Sequence, residues 1–127
     1  MIVTADFFRR TVMSTIAPQL PDREGLIGVL VSRTRKKNVL SPFFAKADGL
    51  LIVDPITHAI EFQKNDERTS GSICALILAS GAKRLVCGFI AKPERDRLSE
   101  LGIDIRLGSC ASRVESLVRQ FATLPTA

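Results

Sequence analysis

Leu26-Ile27-Gly28-Val29-Leu30-Val31 is a short, uninterrupted apolar run in which three of the six residues are β-branched. Runs of this length and composition are typical of a strand that is buried on both faces. Such a strand lies in the middle of a sheet whose two sides are covered by other elements. We therefore expect these residues to form the central strand of a sheet that is flanked by helices.

The sequence downstream predicts a β-hairpin and then alternating helices and strands. Residues 50–54 and 60–63 have strand patterns and flank a turn in which Pro55 fixes φ. The further predicted elements are a helix from residues 69–72 to Gly81, a strand at 84–89, a helix at 93–101, a strand at 103–107, and a final helix after a capping-box pattern at 112–115. The two late strands should be parallel because a helix joins them. This order predicts an α/β fold with a mixed five-stranded sheet flanked by helices.

The first 24 residues differ from the rest of the chain. They hold three basic and three acidic side chains, and Pro18 and Pro21 follow a stretch with helical spacing of apolar residues at 6–16. We assign residues 1–24 to an N-terminal arm and residues 25–127 to a single domain.

Composition excludes several classes of protein. The chain has 127 residues, 46% of them apolar, with a net charge of +5, one His and three Cys. One imidazole cannot build a multi-histidine metal site, and three scattered cysteines do not make a disulfide framework. No apolar run approaches the roughly 18 residues of a membrane span, and the arm lacks the order of a secretory signal. We expect a cytoplasmic protein that does not associate with membranes.

Chemistry is expected where the carboxyl ends of the parallel strands meet. The loop after Val31, residues 87–90 and residues 108–111 should converge there. This set supplies the candidate metal ligands Cys87 and Cys110, together with Gly88 and Ser109. Buried packing is the alternative interpretation for each cysteine, and we expect Cys74 to lie in the core.

A basic run and a single histidine complete the set of candidate residues. Residues 33–37 carry four positive charges, with Arg33 and Arg35 as candidate contacts for an anion, although a solvated loop explains the run equally well. His58 falls in the hairpin turn, at the opposite end of the sheet from Cys87 and Cys110. No aromatic residues interleave with the run, which argues against nucleic acid as a partner.

Catalysis is not expected. The sequence lacks the glycine-rich phosphate-binding motifs, a nucleophile elbow and a C-x-x-C pair. A Ser or Cys nucleophile needs a nearby base, and the one histidine is predicted to lie elsewhere. We therefore predict no catalytic residues.

Residues 40–47, Leu-Ser-Pro-Phe-Phe-Ala-Lys-Ala, followed by the apolar strand pattern at 50–54, resemble the dinitrogenase iron–molybdenum cofactor biosynthesis family. Members of this family carry S-x-H-F-G-R-A and then an apolar strand ending in Asp. The resemblance continues at residues 85–90, 98–103 and 114–117, and it spans about residues 25 to 122. It implies a ribonuclease-H-like three-layer fold. It also implies a non-catalytic nitrogenase accessory role in nitrogen fixation, in which iron–molybdenum cofactor or its iron–sulfur precursor is bound, carried or inserted.

Comparison with the family motif assigns residues to a cofactor-binding loop. The family's His corresponds to Phe43 and its Phe to Phe44, while its Gly and Arg correspond to Ala45 and Lys46. The chain thus keeps the aromatic residue and the cation but lacks the imidazole. From the sequence itself, Cys87 and Cys110 are the best substitutes for that ligand.

Two functional hypotheses follow. The first is a small metal-binding carrier protein for an iron–sulfur-type metallocluster, with a cluster donor or a client protein as its partner. Thiolates at Cys87 and Cys110 would bind the metal, and Lys46 with the basic run would neutralise its charge. The second is a divergent family member without metal binding that acts as a protein–protein interaction module. The oligomeric state is left open, with a homodimer as one option.

Overall fold

The computed structural model describes residues 25–34 and 37–127. The predicted arm at residues 1–24, as well as Arg35 and Lys36, lies outside the described residues. The elements are β1 (Ile27–Thr34), β2 (Lys37–Leu40), β3 (Gly49–Val53), β4 (Ile60–Lys64), α1 (Ser70–Ser80), β5 (Arg84–Cys87), α2 (Lys92–Glu100), β6 (Asp104–Leu107), α3 (Val114–Arg119) and a 3₁₀ turn (Phe121–Thr123). No helix in these two ranges is long and apolar enough to cross a membrane.

The described residues form a mixed α/β fold around a sheet of six strands, so the prediction of five strands was wrong. The path through the sheet is β4-β3-β1-β5-β6, and β2 pairs with β1 beside that path. The missed strand is β2, because we interpreted the basic residues 33–37 as a loop. In the structure β1 continues to Thr34 and pairs antiparallel with β2, which supplies the strand hydrogen bonds that local sequence does not indicate.

The outer edge of β1 is shared by two strands. β5 runs parallel to its first half, from Ile27 to Val29, and β2 runs antiparallel to its second half, from Val31 to Thr34. β2 and β5 therefore run toward each other along the same edge. They stop at Leu30, whose carbonyl oxygen accepts a hydrogen bond of 2.9 Å from the backbone N–H of Ser41.

Several predicted elements are confirmed. β3 and β4 form the antiparallel hairpin, and β5 and β6 are parallel with α2 between them. Helix α1 begins after Thr69, whose side chain and that of Ser72 form a reciprocal capping box, and it ends at Gly81 in a left-handed conformation. These local signals coincide with the tertiary structure, which explains why they could be predicted.

Helix α3 departs from the predicted capping box at residues 112–115. The helix begins only at Val114, and its N-cap residue Arg113 makes no capping hydrogen bond with its side chain. Ser112 belongs instead to the preceding turn, where its backbone N–H donates to the carbonyl oxygen of Ser109 over 3.0 Å. Ser112 is therefore part of the turn and does not cap α3.

Helices cover both faces of the sheet. One buried cluster joins Leu30, Leu50 and Leu85 to the apolar sides of α1 and α2, and the other joins Val29 and Val31 to α3 and the 3₁₀ turn. Neighbouring residues of β1 thus enter opposite cores, and both are fully buried. This arrangement confirms that the first apolar run is a central strand.

Two neighbouring residues of α1 provide a test of this packing. Ile77 is 1% exposed and belongs to the first core, whereas Leu78 is 41% exposed. Ile77→Ala should lower the free energy of unfolding by about 2–5 kcal/mol, because it deletes buried methyl groups and leaves a cavity. Leu78→Ala should change it by about 0.5 kcal/mol, measured by urea denaturation. Equal losses for the two variants would contradict the assigned orientation of α1.

Candidate functional site

Three turns converge at the carboxyl ends of β5 and β6. They follow β2, β5 and β6, at residues 41–48, 88–91 and 108–113. The backbone N–H of Gly108 donates to the carbonyl oxygen of Cys87 over 3.0 Å, which ties the second turn to the third. The predicted convergence holds for 87–90 and 108–111, but the first contributor is the turn after β2 and not a loop after Val31.

Gly88 lies at the centre of this convergence. A methyl group built on its Cα would lie 2.5 Å from the carbonyl oxygen of Ser41 and 3.3 Å from both Cα of Pro42 and Sγ of Cys110. The first distance is shorter than atomic contact allows, so the backbone of the first turn occupies the space of a side chain. Only glycine permits this approach. We expected Gly88 to let a ligand approach the backbone, and that role stays a prediction because the space is filled by the protein's own turn.

Cys110 has the only exposed thiol among the described residues. It lies in the turn between β6 and α3, where Ser109 accepts hydrogen bonds from the backbone N–H groups of Ala111 and Ser112 at 3.1 and 3.0 Å. Ser109 thus shapes the turn, and its neighbour presents the sulfur beside Gly88. The turn places a soft, accessible ligand at the convergence.

Cys87 and Cys74 are buried. The Cys87 side chain has no exposed surface and points into the core shared with α1 and α2, and its Sγ lies 4.0 Å from the carbonyl oxygen of Arg106. Burial raises the pKa of the Cys87 thiol to about 12, and it also raises the pKa of Cys74 in α1. Metal binding by Cys87 stays a prediction, and its burial weighs against it because thiolates are the metal-binding form.

The turn after β2 presents some of its side chains and buries others. Phe44 is buried in the first core, while Phe43 is 59% exposed and Lys46 is exposed. Ser41 is buried, and its Oγ accepts a hydrogen bond of 3.1 Å from the backbone N–H of Phe43. Phe89, on the turn after β5, is 58% exposed. Ser-Pro pairs favour turn initiation, and the pair at residues 41–42 stands at the start of this turn, although we did not predict a turn there.

The basic run is not a free loop in its described part. Arg33 belongs to β1, where its guanidinium lies 3.7 Å from the ring centre of Phe62 and its Nε donates to Oδ1 of Asn38 over 3.0 Å. Arg35 lies outside the described residues. His58 lies in the exposed turn between β3 and β4, at the end of the sheet opposite Cys87, in agreement with the sequence.

Asn65 and Arg68 hold the turn after β2, and the sequence did not point to them. Asn65 is buried and its Nδ2 donates to the carbonyl oxygens of Ala45 and Ala47, while Arg68 donates to that of Lys46. Arg68 also forms an ion pair with Asp48. The backbone N–H of Arg33, and then Arg68, lower the pKa of the Asp48 carboxyl. Neither residue belongs to a recognisable motif, because their role depends on contacts distant in sequence.

The described residues offer few metal ligands. Within residues 25–34 and 37–127, no group of three or more His, Cys, Asp or Glu side chains could hold a metal ion. The convergence provides one accessible thiol, exposed cations at Lys46 and Arg113, and exposed aromatic rings. This donor set can contribute one ligand to a soft metal centre but does not complete a cluster's usual set of four thiolates.

Thiol labelling tests these positions directly. Native protein at pH 8 should react rapidly with a thiol reagent at one cysteine per chain, because only Cys110 is exposed, and at all three cysteines in denaturant. Cys110→Ser should remove the rapid phase, and Cys74→Ser should retain it. Two rapidly reacting thiols in the native wild type would contradict the burial of Cys74 or Cys87.

Comparison with known proteins supplies family and fold. The family model described as "Dinitrogenase iron-molybdenum cofactor" matches residues 28–124. The apo form of the orange protein from Desulfovibrio gigas superposes with a TM-score of 0.71 at 23% identity, covering 81% of this chain and 92% of that one. A putative NifB protein from Thermotoga, described as belonging to the DUF35 family, superposes with a TM-score of 0.61 at 14% identity, covering 78% and 88%.

The solved structures share the fold at low sequence identity, and none of the curated proteins searched matches the sequence. The family model covers most of the chain, including all three turns of the convergence. Its match agrees with the resemblance carried by residues 40–47. The chain belongs to the dinitrogenase iron–molybdenum cofactor family.

Proposed function

We propose that this chain is a non-catalytic accessory protein that carries iron–molybdenum cofactor or a related iron–sulfur cluster as cargo during metallocofactor assembly. The cargo would bind at the convergence of the turns after β2, β5 and β6. The observation that carries the proposal is the contact at Gly88, where the turn corresponding to the family motif meets the accessible thiol of Cys110. We further propose that the fold is of the ribonuclease-H-like type and that the protein acts in the cytoplasm.

The residues at the convergence would have distinct roles. Cys110 would supply a thiolate ligand, and the exposed Lys46 would offset the negative charge of the cluster. Gly88 would let the turn after β2 lie close to Cys110, and Phe43 would shield one side of the cargo. Arg33 is already engaged with Phe62 and Asn38, so its contribution would be a long-range positive field.

One accessible thiol suits transient carriage. A resident iron–sulfur cluster is held by about four protein ligands, whereas cargo that passes to a client needs exchangeable positions. The remaining ligands would come from the cluster donor, the client protein or solution thiols. A partner that completes the ligand set would thereby receive the cluster.

The alternative is a protein–protein interaction module without cargo. It is favoured by the exposure of Phe43 and Phe89, which lie on two of the converging turns, and by phenylalanine at the position of the family's histidine. Exposed aromatic side chains of this kind are common anchors at protein interfaces. The two functions predict different results in the same reconstitution experiment.

Anaerobic reconstitution with ferrous iron and sulfide tests the ligand assignment. Wild-type protein should retain iron and sulfide after desalting and show thiolate-to-iron absorption, because Cys110 offers an accessible sulfur. Cys110→Ala should lose most of both signals, whereas Cys74→Ser, a buried control, should retain them. Full binding by Cys110→Ala would refute its role as a ligand. Loss of binding in a folded Cys87→Ala variant would move the assignment to Cys87. A wild type that binds no iron but self-associates through Phe43 and Phe89 would support the alternative.

Restoring the family's imidazole provides a second test. Phe43→His should increase the iron retained at pH 7.5, because position 43 is exposed on the same turn as the proposed cargo site. The gain should disappear as the pH falls through about 6.5, since protonated imidazole does not bind metal. Phe43→Ser, which is polar but without a metal-binding nitrogen, should show no gain. A pH-independent gain would exclude coordination by the new histidine.

A further inference from the structure

One buried side-chain amide, that of Asn65, binds the backbone of the turn after β2. Asn65 follows β4 directly and is 2% exposed. Its Nδ2 donates to the carbonyl oxygens of Ala45 and Ala47 at 3.0 and 2.9 Å, and its backbone N–H donates to that of Asp48 at 2.9 Å. Three carbonyl groups of the turn therefore converge on a single residue.

The opposite end of the same amide is bound to α1. Its Oδ1 accepts from Oγ of Ser72 at 2.7 Å and from the backbone N–H of Arg68 at 3.2 Å. The amide orientation is fixed because carbonyl oxygens only accept and a backbone N–H only donates. Both N–H donors and both acceptor positions of the Asn65 side-chain amide are therefore used.

Arg68 reinforces the same attachment. It has φ of +55°, in the left-handed region that non-glycine residues rarely adopt. In this conformation its guanidinium donates to the carbonyl oxygen of Lys46 at 3.0 Å and forms the ion pair with Asp48. A strained residue persists where its surroundings hold it, and here the surroundings are the turn itself.

We propose that Asn65 is a positioning residue for the turn that presents Phe43 and Lys46. Its hydrogen bonds fix the backbone of residues 45–48, while other side chains of the turn contact a ligand at the surface. The role of Asn65 in cargo binding rests on the proposed function. Its control of the turn's conformation is independent of that function. Exchange of the amide donor should therefore displace the turn without disturbing the apolar cores.

Asn65→Asp is the sharpest variant. It retains an acceptor for Ser72 and Arg68 but replaces the Nδ2 donor with a carboxylate that faces two carbonyl oxygens. At neutral pH the backbone amide NMR signals of residues 43–47 should shift strongly. Burial and the carbonyl oxygens should raise the pKa of the new carboxyl above its usual value near 4, so acidification should return part of the donor and move these signals toward the wild type.

Matched controls separate positioning from stability. Ser72→Ala removes the bond on the α1 side and should shift signals at the start of α1 while those of residues 43–47 stay close to the wild type. Lys64, Asp66 and Glu67 line the same surface depression as Asn65, and Arg68 pairs with Asp48. Wild-type spectra at the same pH values correct for the titration of these groups. If Asn65→Asp does not fold, Arg68→Ala provides a second variant at an exposed site. It removes the hydrogen bond to the carbonyl oxygen of Lys46, and the NMR signals of residues 43–47 are measured in the same way.

Iron retention gives the functional readout. After reconstitution with ferrous iron and sulfide, Asn65→Asp should bind about tenfold more weakly than wild type at pH 7.5, and Ser72→Ala within about twofold. Unshifted signals at residues 43–47 in Asn65→Asp and Arg68→Ala would overturn the positioning role. Shifted signals with unchanged iron binding would overturn its relevance to cargo. A wild type that binds no iron would instead overturn the proposed function, while the NMR result would still decide the positioning role.

Discussion

Two strands approach each other head-on along one edge of β1, and this shared edge determines the geometry of the molecule. β5 pairs with residues 27–29 and β2 with residues 31–34, so neither strand can extend past Leu30. Both strands must end there, and the chain leaves the sheet after each of them. The turn after β2 is thereby brought against Gly88, close enough to exclude any side chain there. The candidate site therefore forms because β2 and β5 end at the same point on the edge of β1.

Much of the fold follows from local sequence, while the parts that define the site do not. The buried run at 26–31, the hairpin and the capped helix α1 carry their own periodicity or turn chemistry. β2 has no such signal, since it owes its conformation to the edge of β1. The same limit applies to Cys87, whose position at the end of β5 was predictable but whose burial depends on helices that cover that face. The role of Asn65 likewise arises only when distant carbonyl groups surround it.

The candidate site combines a rigid frame with few chemical groups. Asn65 and Arg68 fix the backbone of the turn after β2, while Ser109 shapes the turn that holds Cys110. The resulting surface presents the thiol of Cys110, the cation of Lys46 and exposed aromatic rings. Under the proposed function, these groups are the ones that would meet a soft, anionic cargo. The rigid frame explains how a family member could lack the motif's histidine and still keep the shape of the site.

The shared edge of β1 also has a consequence for the order of folding. The β1–β2 pairing links residues close in sequence and can form early, whereas the β1–β5 pairing closes a long loop that contains β3, β4 and α1. Loop closure of this kind is entropically costly and slow. The convergence at Gly88 therefore cannot form before this long-range pairing is made. A chain that has not yet made this pairing lacks the assembled site, so under the proposed function it would offer no place for a cluster to bind.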